Sequence, residues 1–178
     1  MSRSGYIDDG DDDDQWGLIR WRGAVKSALR GARGQAFLRE LLTALDAMPE
    51  KRLASDSLIT ADGEFCTMGV VGAARGVNLD ALDPEDCEQV AQSFGLAEAM
   101  VREIVYENDE RVAEWGWEEV DVCGPMRPYY PEWGSHKSSV RVPINDAAER
   151  RWQHMRAWAA KHIKVALVSE RLNKKGEK

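Results

Sequence analysis

The sequence predicts a mainly α, single-domain helical bundle of about five helices, with a small β-hairpin and a helix-turn-helix-like corner. Three observations carry that expectation. Apolar residues recur at helical spacing in residues 16–48, in 83–110 and again after 145. Gly and Pro punctuate those stretches where helices stop. A length of 178 residues with 43% apolar content suits one domain with a real core. The layout that follows is a disordered acidic tail over 1–14, a globular domain over 15–172 and a frayed basic tail over 173–178.

Residues 1–14 hold six Asp and two Gly, a composition that can bury nothing. An EF-hand is disfavoured against a solubilising tail, because the alternating Asp ladder, the sixth-position Gly and the closing Glu are missing. In 16–48, Trp21, Val25, Ala28 and Leu29 form one helical stripe, which Gly31 and Gly34 interrupt. A second helix is expected from about Gln35, with Phe37, Leu38, Leu41, Leu42 and Leu45 inward and Pro49 as its stop. The corner between them sets Arg30 and Arg33 beside the N–H groups of a new helix start, a weak candidate anion site. The competing and favoured reading pairs both arginines with the chain's own carboxylates.

Between 53 and 77, Asp62-Gly63 separates two short apolar runs, a hairpin signal. Met68 to Ala74 reads as a short helix packed closely on a neighbour. Its GVVGAARG has neither the phosphate-loop nor the dinucleotide glycine pattern, so nucleotide binding is rejected. In 83–110, Asp83 is the expected cap and Pro84 the first position of a helix that Gly95 ends. Leu96, Met100, Val101, Ile104 and Val105 then restart a helical period. Two helices around a tight corner have the outline of a helix-turn-helix. The second is acidic, however: from Leu96 to Glu110 only Arg102 opposes five acids. Carboxylates set against phosphates oppose DNA binding. The corner is therefore read as architectural, or as an acidic face for a basic protein.

Residues 115–145 break the helical pattern. Val120 with Val122, and Val140 with Val142, alternate as strands do, among Trp, Tyr and Pro. Trp and Tyr on such a segment anchor protein interfaces, although they serve equally as cover for a core. The closing helix starts at Asn145 or Asp146, with Trp152, Met155, Ala159, Ile163 and Ala166 as its core stripe and Arg150, Arg151 and Arg156 mostly elsewhere. His154 and His162 are too far apart for a paired ligand site and read as surface or edge groups.

Charge is strongly segmented. Residues 15–39 sum to +6, residues 40–132 to −15 and residues 133–178 to +7, within a net −7. An acidic middle clasped by two basic arms should cancel in part inside the fold. Cys66, Cys87 and Cys123 make neither a disulfide framework nor a zinc pattern, which suits a reducing cytoplasm. No apolar run is long enough for a transmembrane helix, and no signal peptide is recognised. No nucleophile–base pair, zinc spacing or paired carboxylate can be picked out, so no enzyme, cofactor or metal is expected.

WGLIRWRGAVKSALRGARGQAFLRELLTALDAMPEKRL, DPEDCEQVAQSFG, YENDE and RRWQHMRAWAAKHI together resemble small uncharacterised proteins encoded by tailed bacteriophages and prophages. The resemblance covers most of residues 16–110 and the closing helix. That group carries no assigned activity, so it lends no catalytic residue. It implies a phage origin, a host bacterial cytoplasm and, by analogy, a modulator of a host protein such as an anti-CRISPR-like antagonist of a defence complex. The expected partner is a host protein with a basic surface. The expected contacts are Glu98, Glu103, Glu107, Asp109, Glu110, Trp115, Trp117, Tyr129, Tyr130 and Trp133. The alternative is a nucleic-acid-binding accessory protein using the basic helix over 20–33 and the C-terminal helix.

Overall fold

The computed structural model describes Ser4, residues 15–121 and residues 137–164. The expected acidic and basic tails, and Tyr129, Tyr130 and Trp133, lie outside them. The described chain is mainly α, with six α-helices and one two-stranded antiparallel sheet.

Helix α1 spans Gln15–Arg30 and α2 spans Ala32–Ala47. Val25 and Leu29 of α1 are buried, as their spacing requires. The corner is sharper than the two glycines suggested. Gly31 alone stays outside the helices, in an extended conformation that caps α2. Gly34 lies inside α2, where a Cβ would fall 2.1 Å from the Ala28 carbonyl oxygen. It is glycine because two backbones touch there, and not because a helix ends. From α2, Phe37, Leu38, Leu41 and Leu45 enter the core, while Leu42 is half-buried.

The hairpin expected around Asp62-Gly63 is reduced to one bridge, Ile59 to Phe65, with Gly63 at φ 82° in the turn. The ladder cannot extend, because Cys66 already caps the next helix, its sulfur accepting from the Gly69 N–H at 3.4 Å. That helix, α3, spans Thr67–Arg75 and lies hard against the preceding strand-like segment. A Cβ on Gly69 would meet the Leu58 carbonyl oxygen at 1.9 Å.

A single 3-10 turn, Leu79–Ala81, leads to α4 at Cys87–Phe94 and α5 at Glu98–Asp109. The expected cap at Asp83 is corrected. Its carboxylate accepts the Glu85 N–H at 2.9 Å, closing a local turn that contains Pro84. The cap of α4 is Asp86, which accepts from Gln89 N–H at 2.9 Å. Gly95 ends α4 at φ 67°, with its own N–H and that of Leu96 turned back to Gln92 and Ala91.

Strand β1 is Trp115–Asp121 and β2 is Lys137–Pro143, paired in antiparallel register from Trp115↔Pro143 to Asp121↔Lys137. The described sheet is therefore in the aromatic segment and not at Asp62-Gly63. Helix α6, Ala147–His162, closes the described chain against α2 and α5. One continuous core draws on all six helices, and it includes Phe37 and Phe94 edge-on at 6.4 Å.

Candidate functional site

The buried side of α6 runs Ala147, Arg151, Met155, Trp158 and Ala159. An arginine in the middle of that stripe is 2% exposed, and each of its guanidinium nitrogens donates a hydrogen bond. Its Nε donates to the Asn108 carbonyl at 2.8 Å, its Nη1 to the Leu53 carbonyl at 2.7 Å and its Nη2 to Glu114 at 2.6 Å. Glu114 also accepts from the Ser55 hydroxyl. Burial pushes the Glu114 carboxyl up, but the Ser55 and Arg151 hydrogen bonds more than offset this and hold it below the ordinary range. Beside this cluster the buried Asn108 side chain accepts from the Thr67 N–H and hydroxyl and donates to the Ala54 carbonyl. A dense polar knot thus ties loop 53–55, α3, α5 and α6 together.

Glu114 immediately precedes β1, and its carbonyl accepts from Ile144 N–H at 2.7 Å. The knot therefore holds the root of the two-stranded ribbon. Beyond the root the ribbon leaves the body: every residue of β2 except Val142 is exposed. A lone hairpin is only marginally stable, so anchorage at its base matters. On one face Trp115 is 44% and Trp117 72% exposed. Arg141 lies over the Trp115 ring at 4.4 Å, although its direct cross-strand partner is Trp117. Lys137 reaches Glu119 at 3.2 Å. Of the aromatics singled out from the sequence, these two stand clear of the core, and the reading of them as core cover does not hold.

The acidic residues of α5 fare differently. Glu98 is bound by Arg102 at 2.7 Å. Glu107 meets His154 at 2.6 Å and Arg111 at 3.9 Å, with only 15% of its side chain exposed. Asp109 accepts from the Asn108 amide and, at 3.3 Å, from the Asp56 N–H. Glu110 accepts from the Ser4 hydroxyl, and Glu103 is half-buried and also engaged. These carboxylates are drawn into local pairs and hydrogen bonds; they do not form one open face.

The basic residues of α6 dock on the acidic middle, as the charge segmentation suggested. Arg151 takes Glu114, His154 takes Glu107, and Arg156 takes Asp46 at 2.6 Å. Arg75 of α3 grips Glu40 of α2 with two bonds of 2.7 and 2.6 Å and donates to the Phe94 carbonyl. Hydrogen bonding from Arg75 is the main cause that lowers the Glu40 carboxyl below the usual range.

Arg30 and Arg33 depart from expectation. Both are exposed, and neither has an ion pair among the described residues. The corner they occupy is stapled by the buried Gln35 side chain, which donates to the Leu29 and His162 carbonyls at 2.8 Å each. Gln35 also accepts the Lys164 N–H at 2.7 Å, and the Lys164 ammonium reaches the Arg30 carbonyl at 2.8 Å. The end of α6 is thereby brought to the α1–α2 corner, and basic side chains from both arms meet there.

Among the described residues no group of three or more His, Cys, Asp or Glu is placed to hold a metal ion, and no helix is long and apolar enough to cross a membrane. Comparison with family models, with curated proteins and with solved structures finds no match to this chain.

Proposed function

We propose that this chain is a non-enzymatic binding protein that docks on another polypeptide through its β-ribbon. The observation that carries this reading is the outward placement of Trp115 and Trp117 on a ribbon rooted in the Arg151–Glu114 knot. Large aromatics beside an arginine, on an element anchored at its root, are the side chains that dominate interface energetics. Both outer edges of the ribbon lack a strand partner among the described residues, so an extended segment of a partner can add to it. The exposed Glu118 and a net charge of −7 steer the encounter toward a basic partner.

The α4–α5 bend has a helix-turn-helix-like outline, but this reading gives it an architectural part. Where a DNA reader would present base-contacting groups, α5 begins with Glu98, then buried Ala99 and Met100. The resemblance to tailed-phage proteins supplies the setting: a modulator in a bacterial host cytoplasm, of the kind that blocks a defence complex working on nucleic acid.

The test is affinity capture from host lysate, followed by reconstitution with the purified partner. The wild-type chain is expected to retain a basic protein, and Trp117→Ala to weaken that binding about thirtyfold or more. Glu98→Gln should bind as the wild type does, because that carboxylate is held by Arg102. Retention of the same partner at full strength by Trp117→Ala would remove the ribbon from the interface.

A further inference from the structure

We infer that the outer face of α1, continued by the start of α2 and the end of α6, is a track for single-stranded nucleic acid. It is separate from the ribbon and does not depend on what the ribbon binds. Residues 16, 19, 23, 26 and 30 recur at helical spacing, on the side away from buried Val25 and Leu29. Trp16 is 73% and Ile19 59% exposed, a pair of large apolar side chains on one open stripe. Gly23 leaves the middle of the stripe clear, since a Cβ there would meet nothing within 4 Å. Lys26 and Arg30 follow, with Arg22 at the flank, Arg33 across the corner and Lys164 beside Arg30.

Which cations are left unpaired is the second, independent observation. Arg75, Arg102, Arg150, Arg151 and Arg156 each have a carboxylate within 2.9 Å. Arg22, Lys26, Arg30 and Arg33 have none among the described residues, in a chain that carries 31 acids. These four cations make a positive surface that no carboxylate among the described residues neutralises. No acid occurs anywhere in residues 15–39. Four neighbouring like charges attract an anion that can bridge them.

The shape of the stripe selects the class of anion. From Trp16 to Arg30 it runs about 21 Å along the helix axis, or about six stacked nucleotides of one strand. Its apolar end offers an indole for a base to stack on, and its basic end offers guanidinium groups for phosphates. A duplex hides its base faces and would bring dense negative charge against a molecule of net −7. A membrane surface needs a broad apolar face, but the apolar side of α1 is already buried in the core. Dissolved ions compete with phosphates for these exposed cations, so the affinity is sensitive to salt.

The experiment is a titration of the full chain into a short fluorescein-labelled oligothymidylate, read by anisotropy from low to physiological ionic strength. Binding is expected at low salt, with a log–log salt slope of about −3 for four phosphates on a single strand. The double variant Lys26→Gln/Arg30→Gln should weaken binding at least tenfold and cut the slope by about 1.4. Trp16→Ala should weaken it about tenfold at unchanged slope, because stacking releases no counterions. These positions are exposed, so circular dichroism melts of the variants should match the wild type. Trp117→Ala should bind the oligonucleotide normally, which separates this site from the ribbon. Lack of binding at low salt overturns the assignment, as does a slope that the double variant leaves alone. Stronger binding to duplex, or to phosphatidylserine vesicles, overturns it equally.

Discussion

A glycine and an arginine decide most at the scale of single residues, and both look ordinary in the sequence. Gly34→Ala would place a methyl group 2.1 Å from a backbone oxygen, and backbone cannot swing aside as a side chain can. The expected cost is about 1–3 kcal/mol, read as a lower urea midpoint at unchanged m-value. Ordinary helix propensity predicts the opposite sign, since Ala is the better helix former. Arg151→Met should cost more, about 3–5 kcal/mol, because Glu114 and two buried carbonyls lose their donor together. The conservative Arg151→Lys cannot reach all three acceptors and should recover only part of that loss. Arg151 was legible in principle, since 147, 151, 155 and 159 share one helical face. A basic residue among other basic residues reads as solvated, and only three acceptors from distant segments make its burial tolerable.

At the scale of elements, the helices were largely legible because a 3.6-residue apolar period is a property of the local sequence. The stripes of α1, α2 and α5 place Val25, Phe37, Leu41 and Ile104 in the core, where the structure has them. Misplaced features depended on partners far along the chain. Asp62-Gly63 marks a real turn, but the ladder stops at one bridge because Cys66 and Gly69 draw the chain into α3. The ribbon was visible as alternating valines, yet its outward projection depends on a root built by Ser55, Glu114 and Arg151. That root titrates. Because the Glu114 carboxyl is held below its ordinary value, its contribution is present above the unfolded value near 4.5 and lost as pH falls through the folded one. Amide exchange in β1 and β2 should therefore accelerate on acidification before exchange in α2 does. Glu114→Gln should show the faster exchange already at neutral pH. Equal acceleration of ribbon and α2 amides would mean that the root does not open as a local unit.

For the whole molecule, the segmented charge resolves into an intramolecular clasp with a remainder. The basic closing helix spends Arg151, His154 and Arg156 on the ribbon root, α5 and α2, which offsets a small part of the acidic middle. Most of these pairs are half-exposed and contribute little singly. What completes the clasp is the junction at Gln35, where the end of α6 meets the α1–α2 corner. His162 sits at that junction with its ring 5.1 Å from Trp158. Burial, aided by the neighbouring Lys161 charge, lowers its pKa below 6.5, and Glu107 of α5 opposes the shift without reversing it. The folded state therefore prefers the neutral ring. Well above pH 6.5 neither state takes the proton, and stability is complete. As the pH falls through 6.5, the unfolded chain binds a proton that the folded chain refuses, so stability declines until the folded ring titrates too. Urea midpoints measured between about pH 7.5 and about pH 5.5 should fall across that window. His162→Phe keeps an aromatic ring against Trp158 without a titrating group, so its midpoint should change less over the same range. Since Lys164, two residues on, is tied to Gln35 and Arg30, the wild-type decline should be accompanied by earlier exchange of the α6 C-terminal amides. A profile identical in the two proteins would place the titrating group elsewhere and leave the junction indifferent to pH.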